Sequence, residues 1–205
     1  MFEAVKDDQI GLGSLDFNKV IPKPEALNIE WGSRSHRAMK LYKAFVEEST
    51  MLATMNVLAP QPDAVYSKQV EELLTKYEKL TQDDTELLSL GEQCYNNIRD
   101  YGYPSWYDWS IANWGTKWNA YETKYTSDRS VYFETAWCAP LNIVEDFIRK
   151  FNLTCTYRAI CEGSIFWFIR EYENGRLISI RDQLPEDHRQ LYIDLRGYDP
   201  DADDE

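Results

Sequence analysis

Between Leu153 and Ile180 the chain alternates apolar and polar side chains on both sides of a strong turn signal. Leu153, Cys155, Tyr157 and Ala159 alternate with Thr154, Thr156 and Arg158, the period of a strand with one buried face. A second run, residues 164 to 173, leads into Asn174-Gly175, and Arg176 to Ile180 returns. Asn-Gly suits the two positive-φ positions of a two-residue hairpin, so these runs are expected to pair antiparallel. A chain built on such strands must cover a sheet face, and the covering has to come from the rest of the sequence.

The N-terminal half supplies helices. Phe2 and Val5 read as the tail of a helix that stops before Gly11 and Gly13, and Leu15 to Pro24 reads as extended, since each proline biases its predecessor away from helix. From Ser35, the residues Ala38, Leu41, Tyr42, Phe45 and Leu52 recur at helical spacing. A second stripe is Val70, Leu73, Leu74, Tyr77 and Leu80, with Glu71, Glu72, Lys76 and Lys79 outside. A third starts at Asp83 or Asp84, carries Leu87, Leu88, Cys94, Tyr95, Ile98 and Tyr101, and ends at Gly102.

After Pro104 the pattern points to strand. Tyr107, Trp109 and Ile111 alternate with Trp106, Asp108 and Ser110, and Val131, Phe133, Thr135 and Trp137 alternate with Tyr132, Glu134 and Ala136. Val144, Phe147, Ile148 and Phe151 form a helical stripe after Pro140, and a short helix is expected over Glu186 to Leu195. The order of helical block, strands and hairpins argues for an α+β fold with a mainly antiparallel sheet.

Charge narrows the function. Asp and Glu number 35 against 22 Lys and Arg, a net −13. That field disfavours nucleic acid and anionic lipid and favours a basic protein partner. Cys94, Cys138, Cys155 and Cys161 show no zinc spacing and read as reduced thiols, and the longest apolar run, Ile165 to Ile169, is too short to span a bilayer. A cytoplasmic location follows as the expectation, with no membrane contact. Gly11-Leu12-Gly13 lacks the rest of a dinucleotide motif, and His36 and His188 are far apart. No motif implies a metal, another cofactor or a catalytic residue.

The most distinctive segment runs from Trp106 to Tyr121 and sets Trp106, Trp109, Trp114 and Trp118 around Gly115. With Leu15 to Pro24 upstream and Phe133 to Pro140 downstream, it resembles the YubB-like ferredoxin-like family over about residues 14 to 180. Those are uncharacterised proteins of conjugative plasmids, phages and integrated elements. The resemblance implies a βαββαβ sheet with helices on one face. Trp106 to Ile111 and Val131 to Trp137 would form the central hairpin, Leu141 to Phe151 the second helix, and Thr154 to Cys161 the last core strand. Residues 1–198 then make one ferredoxin-like domain carrying an inserted helical block at about 35–102, and 199–205 are an acidic tail. The resemblance implies no reaction. One element departs from the family pattern: the strand expected before the first helix has no counterpart at Phe2, so either the sequence is truncated there or residues 17 to 21 or another segment pair its neighbours' backbone.

Two readings of the Trp-rich segment follow. Its indoles pack the sheet against its helices, or Trp109, Asn113, Trp114, Lys117, Trp118, Asn119 and Trp137 line a binding groove of aromatic walls with polar groups between them. Three functions compete: a non-enzymatic interaction or regulatory protein of a mobile element acting on a protein partner, a small-molecule or nucleotide-binding module using that groove, and single-stranded nucleic-acid binding. The net charge ranks the last lowest. The oligomeric state is left open.

Overall fold

The computed structural model describes residues 4–7, 14–58, 68, 71, 72, 75, 76, 78–127 and 129–202. In chain order the described elements are β1 (Lys6–Asp7), β2 (Ser14–Leu15), α1 (Ser33–Leu58), α2 (Gln82–Tyr101), α3 (Trp106–Trp114), β3 (Tyr121–Ser127), β4 (Ser130–Glu134), α4 (Leu141–Lys150), β5 (Cys155–Ile160), β6 (Trp167–Glu173), β7 (Arg176–Asp182) and α5 (Pro185–Arg196). Short 3-10 turns occupy Phe17–Lys19 and Glu25–Leu27. The chain divides into two units, one of residues 24–106 and one of residues 1–23 with 107–205.

In the unit of residues 24–106, α1 and α2 pack along each other. Thr81 and Asp84 form a reciprocal capping box at the start of α2, so the cap falls ahead of the expected Asp83 or Asp84. Gly102 ends α2 in the left-handed conformation, at φ 81°. The buried stripe of Leu87, Gly91 and Cys94 faces Ala38 and Tyr42 of α1. Gly91 is required for that approach, because a Cβ there would meet the Ala38 carbonyl oxygen at 2.4 Å and Tyr42 Cβ at 2.6 Å. Arg34 bridges Asp83 at 2.6 Å and Glu86 at 3.2 Å. Asn97 donates from Nδ2 to the carbonyls of Ala26, at 2.8 Å, and Pro104, at 3.2 Å. Of the second expected helix, Lys68, Glu71, Glu72, Thr75, Lys76 and Glu78 are helical, while its apolar members Val70, Leu73, Leu74 and Tyr77 lie outside the described residues.

The other unit holds the strands. β5, β6 and β7 form an antiparallel sheet in that order, closed by the Asn174-Gly175 turn with φ of 47° and 76°. Cys155, Tyr157 and Ala159 stand opposite Tyr172, Arg170 and Phe168 on one face. On that face Glu145 of α4 accepts from Tyr172 Oη at 2.9 Å and from Arg170 Nη1 at 3.2 Å. The alternate residues meet α5: Arg158 pairs with Asp194, Arg181 with Asp187, and Trp167 Nε1 donates to the Leu184 carbonyl at 2.9 Å. Helix α5 therefore covers the opposite face from α4, adding a layer to the sheet.

Two expectations are corrected here. Trp106–Trp114 is a helix, so it makes no hairpin with residues 131–137; the partner of β4 is β3, paired antiparallel from Tyr121↔Glu134 to Ser127↔Ser130. Trp109, Ser110 and Trp114 are the buried residues of α3, with Asn113 half-buried beside them. These positions make one helical stripe, and burial of that stripe outweighs the strand preference of aromatic residues. Near the N-terminus, Ala4 is 3-10 helical and Val5 turns the chain into β1, and Phe2, Gly11 and Gly13 lie outside the described residues. β1 and β2 pair with each other, and β2 lies against β3.

Candidate functional site

The Trp-rich segment splits into a buried half and an exposed half. Trp114 is only 3% exposed, and its Nε1 donates to the Ile21 carbonyl at 2.9 Å. Trp109 packs edge-on to it at 5.6 Å, and Phe17 at 5.8 Å. Asn113 turns its Nδ2 back onto the Trp109 carbonyl at 2.9 Å. Asn119 is a clamp: its Oδ1 accepts from the Phe17 N–H at 2.7 Å and its Nδ2 donates to Asp16 Oδ1 at 2.9 Å. Trp114 and Asn119 hold residues 16–21 in place, while Trp109 packs on Trp114 and Asn113 bonds within α3, so the buried Trp109 and Trp114 offer no face for a ligand to stack on.

Beyond Gly115 the segment reaches the surface. Gly115 turns the chain at φ 80°, with Leu141 N only 3.2 Å from where a Cβ would stand. Lys117 then lies with its ammonium 4.6 Å from the Trp118 ring centre, 4.7 Å from that of Trp137 and 5.4 Å from that of Tyr107. Trp118 is 45% exposed and Trp137 70%. Trp137 sits at φ 64°, a conformation rare for a bulky side chain and one that usually marks a functional or tightly constrained position. The structure thus brings together Lys117, Trp118 and Trp137, adds Tyr107, which sequence reasoning left out of the site, and separates Trp109, Asn113, Trp114 and Asn119 from them.

Trp118 and Trp137 also stand on the wall of a cavity of about 780 Å³. Its long walls are two runs of consecutive residues, 130–140 and 156–163, and its end is closed by Asp194, Leu195 and Arg196. At the β4 wall, Tyr132 Oη donates to Glu134 Oε1 at 2.6 Å, and Arg196 bridges the same carboxylate at 3.2 Å. Burial and the Glu134 carboxylate push the Tyr132 phenol up to about 12. Tyr132, Glu134 and Arg196 were not singled out by sequence, because nothing in the local pattern links β4 to the end of α5.

The mixture of elements over this stretch has a counterpart among known families. Residues 113–194 match the family described as the ferredoxin-like domain in Api92-like protein. This stretch is a ferredoxin-like domain. No curated protein and no solved structure matches the chain. The ferredoxin-like domain covers β3 to α5 up to Asp194, so Lys117, Trp118, Trp137 and both long walls of the cavity belong to it. Cys138 beside Trp137 is a free, exposed thiol, and among the described residues no three His, Cys, Asp or Glu side chains converge as a metal site. Among the same residues no helix is long and apolar enough to cross a membrane.

Proposed function

We propose that this chain is a non-enzymatic protein-interaction module of a phage- or plasmid-type mobile element, working in the cytoplasm on a basic host or element-encoded protein. The observation that carries the reading is the pair of exposed indoles, Trp118 and Trp137, held beside one cavity under the Lys117 ammonium. Tryptophan contributes most to binding when a partner buries it, and exposed large aromatics beside a cleft are what docking surfaces present. The net charge of −13 adds long-range attraction for a basic partner and supports its rapid capture.

The test replaces Trp137 with a photo-crosslinking aromatic residue and irradiates the chain in lysate of the host. A single protein crosslinked through position 137, and lost when Trp118 is also changed to Ala, is the expected result. An absence of any crosslinked protein at low and moderate salt contradicts the reading. A second reading, small-molecule or nucleotide binding in the same cavity, is supported by its volume of about 780 Å³, within the range of ligand clefts. Thermal stabilisation by a nucleotide or metabolite panel, with no crosslinked protein, would select it.

A further inference from the structure

We infer that Tyr107, Trp118 and Trp137 form an aromatic cage for a quaternary ammonium, and that its occupant is a trimethylated lysine side chain of the partner protein. Lys117 fills the cage until that side chain displaces it. The inference rests on the interaction reading above and names the group that the surface recognises.

The Lys117 ammonium has rings around it and no counter-charge. The ring centres of Trp118, Trp137 and Tyr107 stand 4.6, 4.7 and 5.4 Å from its nitrogen. Among the described residues Lys117 makes no ion pair and no hydrogen bond, on a chain that carries 35 Asp and Glu. A primary ammonium is compact and strongly hydrated, so holding it among rings gives up water with no carboxylate in return. Three aromatic rings around one cation attract it through their quadrupoles, the arrangement by which aromatic cages hold quaternary ammonium groups.

The cage stands ready before a ligand arrives. Tyr107 comes from the first turn of α3, Lys117 and Trp118 from the bend after Gly115, and Trp137 from the bend after β4. Buried Thr116 donates from Oγ1 to the carbonyl of buried Ala136 at 3.1 Å. The residues just before Lys117 and just before Trp137 are thereby tied together. Asn142 Nδ2 donates to the Ala112 carbonyl at 2.8 Å and ties α3 to α4. Trp137 stands at φ 64° with its indole 70% exposed. Strain of that kind persists only where the surroundings hold it, and it collects at ligand clamps.

Dimensions and charge select the occupant. A methylated nitrogen is kept from a ring by one N–C bond of about 1.5 Å and a carbon contact of about 3.5–4.0 Å. Ring centres at 4.6, 4.7 and 5.4 Å from the Lys117 nitrogen suit that spacing. Methylation keeps the positive charge and replaces each N–H with carbon, so the trimethylated group gives up less water on entry than Lys117 does. The exposed edges of Trp118 and Trp137 leave an entrance for a long, thin side chain, which the four-carbon stem of lysine supplies. Trp118 and Trp137 also border the cavity of about 780 Å³, whereas Lys117 and Tyr107 do not. A segment lying along the cavity can thus send one side chain into the cage. The net charge of −13 attracts a lysine-rich segment and opposes the phosphate that a phosphocholine headgroup would bring.

Binding of synthetic lysine-flanked peptides to the full chain, read by tryptophan fluorescence, tests this. One peptide carries a central trimethyl-lysine, a second an unmodified lysine, and a third an uncharged isostere with carbon in place of the quaternary nitrogen. The trimethyl-lysine peptide is expected to bind roughly tenfold or more tighter than either control. Trp137→Ala should abolish that preference, and Lys117→Ala should strengthen binding by about threefold or more, because the internal competitor is gone. Proton NMR of the unaltered chain gives a readout that needs no variant. The Lys117 ε-methylene signals, shifted upfield by the rings, should return towards their ordinary position as the trimethyl-lysine peptide saturates. Equal affinity for the three peptides, a preference that survives Trp137→Ala, or Lys117 signals that stay upfield at saturation would overturn the cage. Phosphatidylcholine vesicles or free choline binding as tightly as the trimethyl-lysine peptide would overturn the assignment to a protein side chain. A protein crosslinked at position 137, with no preference among the peptides, would sink the cage while sparing the interaction reading. Preference for trimethyl-lysine without any crosslinked protein would do the reverse.

Discussion

Lys117 holds its ammonium 4.7 Å from the centre of the Trp137 ring, on an indole that is 70% exposed. A cation over an exposed aromatic ring contributes only about 0.5–1 kcal/mol. The contact therefore orients the indole without burying it, and a partner can replace it at small cost. Lys117 stands three residues in sequence from Trp114, which is fully committed to the core. The contrast between the two indoles generates the first prediction.

Trp114→Ala removes a buried indole and leaves the Ile21 carbonyl without its 2.9 Å donor. Large-to-small changes of that kind cost about 3–5 kcal/mol. Trp137→Ala, on the surface, is expected to change stability by less than about 0.5 kcal/mol. Urea unfolding of the two variants separates them; similar midpoints would place Trp114 outside the core.

Asn119→Ala strands the Phe17 N–H and takes a donor from Asp16. An unmet buried group costs about 1–3 kcal/mol. Loss of stability in that range, together with faster exchange of the Phe17 amide, is the expected outcome. Unchanged exchange at Phe17 would show that the clamp is not formed.

Gly91→Ala opposes a general rule. In a helix interior alanine is usually favoured over glycine by roughly 0.5–1 kcal/mol. Here the new Cβ would stand 2.4 Å from the Ala38 carbonyl oxygen, a backbone atom that moves only with its helix. The substitution is expected to destabilise by about 1–3 kcal/mol, as overpacking does. A gain in thermal stability would mean that α1 and α2 are further apart than described.

How much of this was legible follows from which signals are local. β5, β6 and β7 announce themselves through alternation and an Asn-Gly turn, and α2 through its stripe and Gly102. The stretch from Trp106 does not, because Tyr107, Trp109 and Ile111 satisfy a period of two while Trp109, Ser110, Asn113 and Trp114 satisfy a helical one. Aromatic content then favours strand, and only the packing of Trp114 on Ile21 and Phe17, far away in sequence, decides for helix. β3 was missed because Tyr121, Thr123 and Tyr125 alternate among polar residues and the link to β4 carries no glycine. Lys117, Trp118 and Trp137 were legible as residue types of a site. Their separation from Trp109, Asn113, Trp114 and Asn119 was not, because it depends on the turn at Gly115 and on the positive φ of Trp137.

Tyr132 and Tyr172 are both pushed up to about 12, by burial first and then by donating to Glu134 and Glu145. The raised values mean that the fold favours the neutral phenols. Their contribution to stability is whole below the ordinary tyrosine pKa of about 10 and is lost as pH rises through about 12. Phenolate absorbance should show these two among several late-titrating tyrosines, because burial also raises Tyr157 and the hydrogen bond with Tyr198 raises Tyr192. Glu134→Gln should bring the Tyr132 midpoint down and leave Tyr172 in place; no movement would mean that Glu134 does not face the phenol.

The most direct measurement is the affinity of the crosslinked partner for the unaltered chain and for the Trp118→Ala/Trp137→Ala double variant, read beside urea unfolding of both. The docking account predicts weakening of roughly thirtyfold or more, about 2 kcal/mol as for a central aromatic contact, with unfolding midpoints that coincide. Equal affinity for the two chains would contradict it.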